Sequence, residues 1–452
     1  MFSRILIANR GEIALRIIRA AKSLGIESVC VYSTADASGP WLHLADQAIC
    51  IGDAPSADSY LRIDRIISAA EITNSEAIHP GYGFLAENAH FAEVCKDSGF
   101  AFIGPSPEAM ALLGDKVSCK NLARKSGTPI FPGTDDAIED TEEAVEVART
   151  IGFPVIVKAA AGGGGRGMRI ARDEAQLRDG IESARQEAAA AFGDGRVYIE
   201  KFLEQARHFE VQVIGDSHGN AVHLFERDCT SQRRHQKLIE EAPAPGVDPE
   251  KRDQVVESAA ALIRRANYSG AATVEFLMDH DQNFFMLEVN TRVQVEHPVT
   301  EMITGIDVVA EQIRVASGEP LSIKQSDISV NGHAIECRIN AEDPDRGFMP
   351  QAGLIEDWRP PGGPGVRLDS HATVGYRIPP NYDSMIGKLI VHGPDRATAI
   401  ARMRCALEEF EVGPIRTTIP LHRKLMDYQP FIDARFDIHY VERWLEEPAA
   451  QA

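Results

Sequence analysis

The sequence predicts a mixed α/β and α+β protein of several units, opening with a doubly wound parallel-sheet domain. Three observations predict it. The chain begins as strand, loop, helix and strand, a rhythm that implies parallel pairing and recurs up to residue 113. A glycine run between two short strand-like segments follows, in a stretch (127–195) with the texture of a moving lid. After Asn331 comes a β-rich tail with PGGPG and PP turns, closing in helix-forming sequence. At 452 residues the chain exceeds one compact core, so two to four units are expected.

In order, Ile5 to Ala8 reads as a strand, and Ile13, Ile17, Ile18 and Leu24 share one face of a helix. Ser28 to Tyr32 is the second strand, Arg62 to Ala70 a helix, and Ala77 to His79 and Ala101 to Ile103 further strands. An acidic helix precedes the glycine run, and a helix from Asp173 to Phe192 follows it. Paired strands fill Val197 to about Glu301. No internal repeat is present, and the alanine run at 188–191 suits a helix.

Hydrophobic residues make up 44% of the chain and charged residues 25%, a globular composition. The net charge of −20 repels nucleic acid and anionic membrane, so a polyanion must meet a local cluster of Lys and Arg. The seven cysteines are scattered and form no CxxC pair, which excludes such a zinc or redox motif and suits reduced thiols in the cytoplasm. Arg4 and Arg10 flank the N-terminal apolar run, and no stretch reaches membrane-spanning length, so a cytoplasmic protein is expected.

The glycine loop follows the strand around Val155 to Lys158 and contains Gly163, Gly164, Gly165 and Gly167. Bare backbone amides can approach phosphate oxygens, with Lys158 adding a point charge. It matches GxGxxG, but a strand-like segment follows where a dinucleotide fold needs a helix. The P-loop pattern fails because Met168 stands at the lysine position. A phosphate-covering flap and a purely structural flexible loop both remain open.

A second candidate is a hairpin. With Glu275 opposite Glu288, residue 279 pairs with 284 across a four-residue loop. Alternation then puts Glu288, Asn290, Arg292, Gln294 and Glu296 on one face beside Glu275, and Val274, Phe276, Leu287 and Val289 on the other. Like charges directly across a sheet repel and imply a cation between them. Hard oxygen donors suit Mg²⁺, and Arg292 would meet an anion. A solvated row of charges is the alternative, opposed by the apolar reverse face.

The densest cationic stretch is ERDCTSQRRHQK (226–237). Gln232, His235 and Lys237 are donors suited to bicarbonate or a phosphoryl group, whereas Arg233 and Arg234 could equally pair with surface acids. Cys229 lies here and is expected to be open to alkylation, with nothing marking it as a nucleophile. His208 reads either as a packed or as a functional histidine.

Together IANRGEIALRI (7–17), HPGYGFLAEN (79–88), GDKV (114–117), AGGGGRGM (161–168), ERDCTSQRRHQK, EEAPAP (240–245), EVNTRVQVEHPVTEMITG (288–305), ECRINAEDP (336–344) and YDSMIGKL (382–389) resemble the biotin carboxylases, from residue 4 to about 445. The resemblance implies a three-domain ATP-grasp fold: an N-terminal α/β domain at 1–113, an ATP-grasp region at 114–330 with a mobile lid at about 131–202, and a mixed β-rich C-terminal domain at 331–445. It implies that Lys116, Lys158 and the glycine loop clamp the ATP phosphates, with His208, Gln232 and His235 as further nucleotide contacts. Glu200, Lys201 and Leu203 resemble an adenine-recognition segment at the lid hinge. Glu275, Glu288 and Asn290 fall on positions that bind Mg²⁺, or Mn²⁺ in its place. Lys237, Arg292, Gln294 and Val295 look like a bicarbonate site, Glu296 like the general base, and Arg338 like the residue facing the biotin ureido oxygen.

The activity so implied is an ATP-dependent carbon–nitrogen ligase that carboxylates biotin through carboxyphosphate. No AMKM-like segment for biotin attachment occurs in the sequence. The implied partners are therefore a biotin carboxyl carrier protein and a carboxyltransferase, and a homodimer is implied as well. The acceptor served (acetyl-CoA in fatty acid biosynthesis, propionyl-CoA, pyruvate or another) is not legible. Ala161 and Ser231 depart from the family pattern without touching its chemistry. A rival ATP-grasp ligase making another acyl phosphate would share the hairpin but leave Arg338 without a task. A silent nucleotide-binding regulatory protein would lack one of the metal or base residues.

Overall fold

A computed structural model describes residues 1–134, 136–138, 140–160 and 168–447. The opening strands β1 (Arg4–Ile7), β2 (Glu27–Ser33), β3 (Gln47–Gly52), β4 (Ala77–His79) and β5 (Ala101–Phe102) form a parallel sheet in the order β3-β2-β1-β4-β5. Ile5, Leu6 and Ile7 are inaccessible because helices cover both faces, the usual condition of a parallel strand. The expected helices are observed at Gly11–Ser23 and Ile63–Ile72. β3 has no counterpart in the sequence reading. It is an edge strand whose Gln47, Ala48 and Cys50 are exposed, so the apolar pattern that marks a central strand is missing.

Strand order reverses between β1 and β4, and their carboxyl ends open the crevice where such sheets place ligands. Asn9 spans it, its amide donating to the carbonyls of Pro80 and Tyr82 at 2.7 Å each. The HPGYGFLAEN segment is thereby fixed at the edge facing the rest of the molecule.

The lid segment has a sheet of its own. β6 (Val155–Ala159) pairs antiparallel with β7 (Arg169–Ala171) and with β8 (Val197–Lys201). Helices Thr141–Ile151 and Glu174–Phe192 cover it, giving a separate core of Val145, Val155, Leu177, Ile181, Val197 and Ile199. Asp173 caps the second helix by accepting from the Gln176 amide. The strand-loop-strand expectation therefore holds for the flanking strands. The glycine run itself, with Gly163, Gly164, Gly165 and Gly167, lies outside the described residues.

The centre is an eight-stranded sheet containing β9 (Arg207–Gly215), β10 (Ala221–Arg233), β11 (Gln236–Ala242), β12 (Gly270–Met278), β13 (Phe284–Asn290) and β14 (His333–Asn340). Their order is β13-β12-β9-β10-β11-β14, continued by the strands Met385–Gly393 and Val366–Ser370. Strands on either side of residues 330–331 thus share one sheet, joined where β11 pairs with β14.

Two details of the hairpin differ from alternation. Glu275 does face Glu288, but Phe276 pairs with Met286 and Met278 with Phe284, leaving five residues in the loop. Leu287 is the extra residue of a β-bulge and is only half-buried, so Met286 takes its place in the apolar core beside Val274, Phe276 and Val289. The strand also ends at Asn290, so alternation does not carry Arg292, Gln294 and Glu296 into line. They arrive through a turn that leads into the helix His297–Thr304, with Glu296 at its N-cap position.

Among the described residues no helix is long and apolar enough to cross a membrane. Seven histidines are buried among the described residues, and four of them, His79, His297, His371 and His422, have no carboxylate partner. Burial, aided by nearby cations, lowers His79 and His371 to about 3 and holds His297 well below its usual range, while His422 falls to about 4. A depressed folded-state value means that the stabilisation is complete above the unfolded value near 6.5 and is lost as pH falls below it. Each of these histidines should therefore lower stability by up to about 1.4 kcal/mol on going from pH 7 to 5.5, seen as a fall in melting temperature. A flat melting temperature over that interval would contradict this reading.

Candidate active site

A row of charge crosses four adjacent strands. Arg227 on β10 pairs with Glu210 on β9, Glu210 with Glu275 on β12, and Glu275 with Glu288 on β13. Directly opposed residues point to the same face, so three carboxylates lie side by side on one surface of the sheet. Arg227 and Glu210 are wholly inaccessible, and Glu275 is buried. Uncompensated, such a row would cost several kcal/mol per ion.

The compensation is supplied by Lys237. Its ammonium donates to Glu210 at 2.5 Å, Glu296 at 2.6 Å, Glu275 at 3.0 Å and the side-chain carbonyl of Gln294 at 3.2 Å. Burial would depress this lysine, but the three carboxylates, Glu210 foremost, hold it well above its usual range. Arg227 adds a second cation, bonded to Glu210 at 2.5 Å and to Gln212, Thr273 and Thr300.

Glu275 is saturated with donors. His208 lies 3.1 Å from it, the Asn290 amide 3.0 Å and the Gln294 amide 3.1 Å, in addition to Lys237. Burial raises its carboxyl, but Lys237 and His208 outweigh that and hold it well below the usual range. Glu288 is the contrast. It accepts no hydrogen bond and makes no ion pair with any described residue, and it stays accessible within the cleft. Desolvation first and repulsion by Glu275 second push its carboxyl up. Lys116, at the start of the helix Lys116–Lys125, likewise has no hydrogen-bonding partner among the described residues. Desolvation and Lys158 lower it, while Glu288 pulls the other way.

Glu296 sits between two cations, receiving Lys237 at 2.6 Å on one oxygen and the Arg338 guanidinium at 2.9 Å on the other. Burial alone would raise it. Lys237, Arg338 and Arg227 together hold it far below the usual carboxylate range. Arg338, on β14, is anchored by Glu240 at 2.6 Å. Arg292 donates to Glu87 at 2.9 Å and to the side-chain carbonyl of Asn290 at 3.0 Å, which ties the hairpin to the HPGYGFLAEN segment. The Val295 carbonyl accepts from the buried Lys388 at 2.9 Å.

The lid side contributes Lys158, paired with Glu200 at 2.7 Å and lying 5.4 Å from the Phe131 ring centre. Glu200 also meets Lys120 at 3.3 Å. The Lys201 ammonium is occupied by the carbonyls of Gly152 and Phe153, both at 3.0 Å, so it ties the end of β8 to the turn before β6. Leu203 is half-buried just beyond β8. Gln232 is buried opposite Lys237, whereas Arg234 and His235 form the exposed tip of the β10–β11 hairpin. Both have positive φ (48° and 63°), the conformation that a tight hairpin turn demands.

Cys229 is a correction to the sequence reading. It is fully buried, and burial pushes its thiol well up, so it is closed to alkylation. Glu210, Arg227, Lys120, Glu87 and Glu240 escaped the sequence reading. Glu210 had a usable signal: His208, Glu210 and Gln212 alternate with apolar Phe209, Val211 and Val213. Lys120 and Glu240 had none, because their partners come from distant strands.

The residues present fit a divalent cation beside a polyanion. Glu275 and Glu288 offer carboxylate oxygens, Asn290 an amide oxygen, and Glu288 makes no ion pair or hydrogen bond with any described residue.

Comparison with known proteins agrees with this geometry. Residues 1–110 match the biotin carboxylase N-terminal domain, 115–324 the ATP-binding domain of the carbamoyl-phosphate synthase L chain, and 336–443 the biotin carboxylase C-terminal domain. The chain is 54% identical to the biotin carboxylase of Pseudomonas aeruginosa, over 98% of this chain and 99% of the relative. The structure of a Campylobacter jejuni biotin carboxylase complexed with a β,γ-ATP compound superposes with a TM-score of 0.93 at 50% identity, covering 98% and 99% of the two chains. The biotin carboxylase domain dimer of Hydrogenobacter thermophilus 2-oxoglutarate carboxylase, bound to MgADP, ADP and bicarbonate, gives 0.92 at 47% identity, covering 100% and 99%. The chain has the ATP-grasp fold and belongs to the biotin carboxylase family of ATP-dependent ligases.

Proposed function

We propose that this chain carboxylates biotin presented by a separate carrier protein, using ATP and bicarbonate, and that Glu296 is the proton acceptor. The observation that carries the reading is a carboxylate clamped between two cations, each of which has a substrate to bind. In this structure Lys237 and Arg338 both hold Glu296, which keeps it ionised but makes it a weak base. Bicarbonate engaging Lys237, Arg292, Gln294 and the Val295 segment would draw one cation away. Biotin engaging Arg338 would draw away the other. Each loosening raises the basicity of Glu296, so proton acceptance rises when both substrates are in place.

Lys116 and Lys158 are positioned as point charges for the transferring phosphate, with His208, Gln232 and His235 as further nucleotide contacts. Glu275, Glu288 and Asn290 would hold Mg²⁺, or Mn²⁺ in its place. When bound, the ion supplies charge neutralisation at phosphate oxygens. Glu200, Lys201 and Leu203 form the lid base beside which the adenine would lie. Closure of the lid would shield a reactive carboxyphosphate from water. Arg338, a permanent cation, suits the oxygen that becomes enolate-like as the ureido nitrogen loses its proton.

We assign residues 1–113, 114–330 and 331–445 to the three family domains. A biotin carboxyl carrier protein, a carboxyltransferase and a second copy of this chain are the partners that the reading requires.

Bicarbonate-dependent ADP release should rise on adding free biotin, and Glu296→Ala should remove that stimulated rate by about 100-fold or more. Stimulation persisting in this variant would refute the base. Glu288→Gln should lower turnover of the metal–ATP complex by about 100-fold while metal-free nucleotide binding changes little. Equal losses in both would count against the metal assignment.

A further inference from the structure

A second pair of opposed glutamates lies behind the site. Glu240 on β11 stands directly across from Glu336 on β14, both with no accessible surface. Glu240 uses one oxygen for Arg338, at 2.6 Å from Nε and 2.5 Å from Nη2. Its other oxygen and both oxygens of Glu336 are buried without any hydrogen-bond partner. Three orphaned carboxylate oxygens on adjacent strands would be a severe penalty if both groups were ionised. One proton eases it, because it cancels one of the two negative charges and turns one oxygen into a donor for another, pairing two of the three.

We propose that Glu336 is a positioning residue: it shares one proton with Glu240, so that Glu240 offers Arg338 a single oriented oxygen and the pair carries one negative charge. The proposal rests on the role given above to Arg338.

The surroundings support it. Glu336 is faced by Glu240 from β11, Lys388 from the strand Met385–Gly393, Arg338 from β14 and Glu296 from the start of the helix His297–Thr304. Glu240 is faced by Arg338, Glu296 and Lys237. The buried Lys388 is already engaged by Glu12 at 3.2 Å and the Val295 carbonyl at 2.9 Å, and it makes no hydrogen bond to Glu336. Burial is the largest influence on both acids. It pushes Glu240 up to about 7 and Glu336 well above the usual range, despite Arg338 and Lys388. Raised values mean that the proton is held at neutral pH and lost as pH rises, and for two interacting acids the loss belongs to the pair.

Losing the proton would place a second negative charge behind Arg338. The guanidinium would then be drawn toward Glu240 and away from biotin, so affinity for biotin should fall on the alkaline side. Glu336→Gln supplies a permanent amide donor at the same position and cannot lose it. Glu336→Leu supplies none.

Two measurements test the pair. The first is difference infrared spectroscopy at neutral pH, which needs no turnover. The unaltered protein should show a carbonyl band of a protonated carboxylic acid that Glu336→Gln lacks, and superimposable spectra would overturn the shared proton. The second is the pH profile of kcat/KM for free biotin. Glu336→Leu should raise KM for biotin roughly tenfold or more with KM for ATP changed less than about threefold, and Glu336→Gln should restore KM and lack the alkaline decline of the unaltered enzyme. An unchanged alkaline decline in Glu336→Gln, or equal losses for biotin and ATP in Glu336→Leu, would overturn the positioning role. If Glu336→Leu fails to fold, the spectrum and profile of Glu336→Gln decide alone. Absence of biotin stimulation in the unaltered enzyme would instead sink the role of Arg338, and the infrared result would still decide whether the proton is shared.

Discussion

The site depends on one constraint: three glutamates, Glu210, Glu275 and Glu288, are locked in register on neighbouring strands. A sheet gives them no freedom to move apart, so their repulsion must be met by positive charge brought to them. Lys237 meets most of it, bonding Glu210, Glu275 and Glu296 at once. Arg227 meets the inner end of the row. Glu288, at the outer end, makes no ion pair with any described residue, and Lys116 acts on it only through space. The unmatched charge stands where the cleft opens, which is where a divalent ion could reach it.

The same constraint explains why the fold spends so much sheet on this region. Glu210, Glu275, Glu288 and Arg338 sit on strands of a single eight-stranded sheet, and Lys237 on a fifth strand of it. Strands place charged groups with less play than loops do, which matters when a base is held between two cations. Glu296 alone comes from a helix N-cap position, reached by the turn after Asn290. That turn is braced by Arg292 on Glu87 and by Lys388 on the Val295 carbonyl, so the HPGYGFLAEN segment and the strand Met385–Gly393 both fix it. Behind Arg338, the Glu240 and Glu336 pair extends the same principle one layer deeper.

Much of this was legible in sequence where charge and pattern were local. The opening strands and helices follow from apolar spacing, and the Glu275 and Glu288 pairing follows from the two strands and the loop between them. The bulge at Leu287 was not legible, because strict alternation has no term for an extra residue and both Leu287 and Met286 are apolar. β3 escaped because an exposed edge strand carries no apolar signature. Gln294 and Glu296 were placed correctly for an incorrect reason, since a turn and not a continued strand brings them in. The counter-ions were hidden for a deeper cause: Lys237 meets Glu275, and Arg338 meets Glu240, only after strands far apart in the chain are paired. Cys229 was misjudged in the same way, its cationic neighbours suggesting a surface where sheet pairing makes a core.

The most direct test is anomalous diffraction from crystals grown with Mn²⁺ and a non-hydrolysable ATP analogue. A manganese peak within coordination distance of both Glu275 and Glu288 is the predicted result. A peak elsewhere, or an ordered nucleotide with these two carboxylates free of metal, would contradict the account of the charge row.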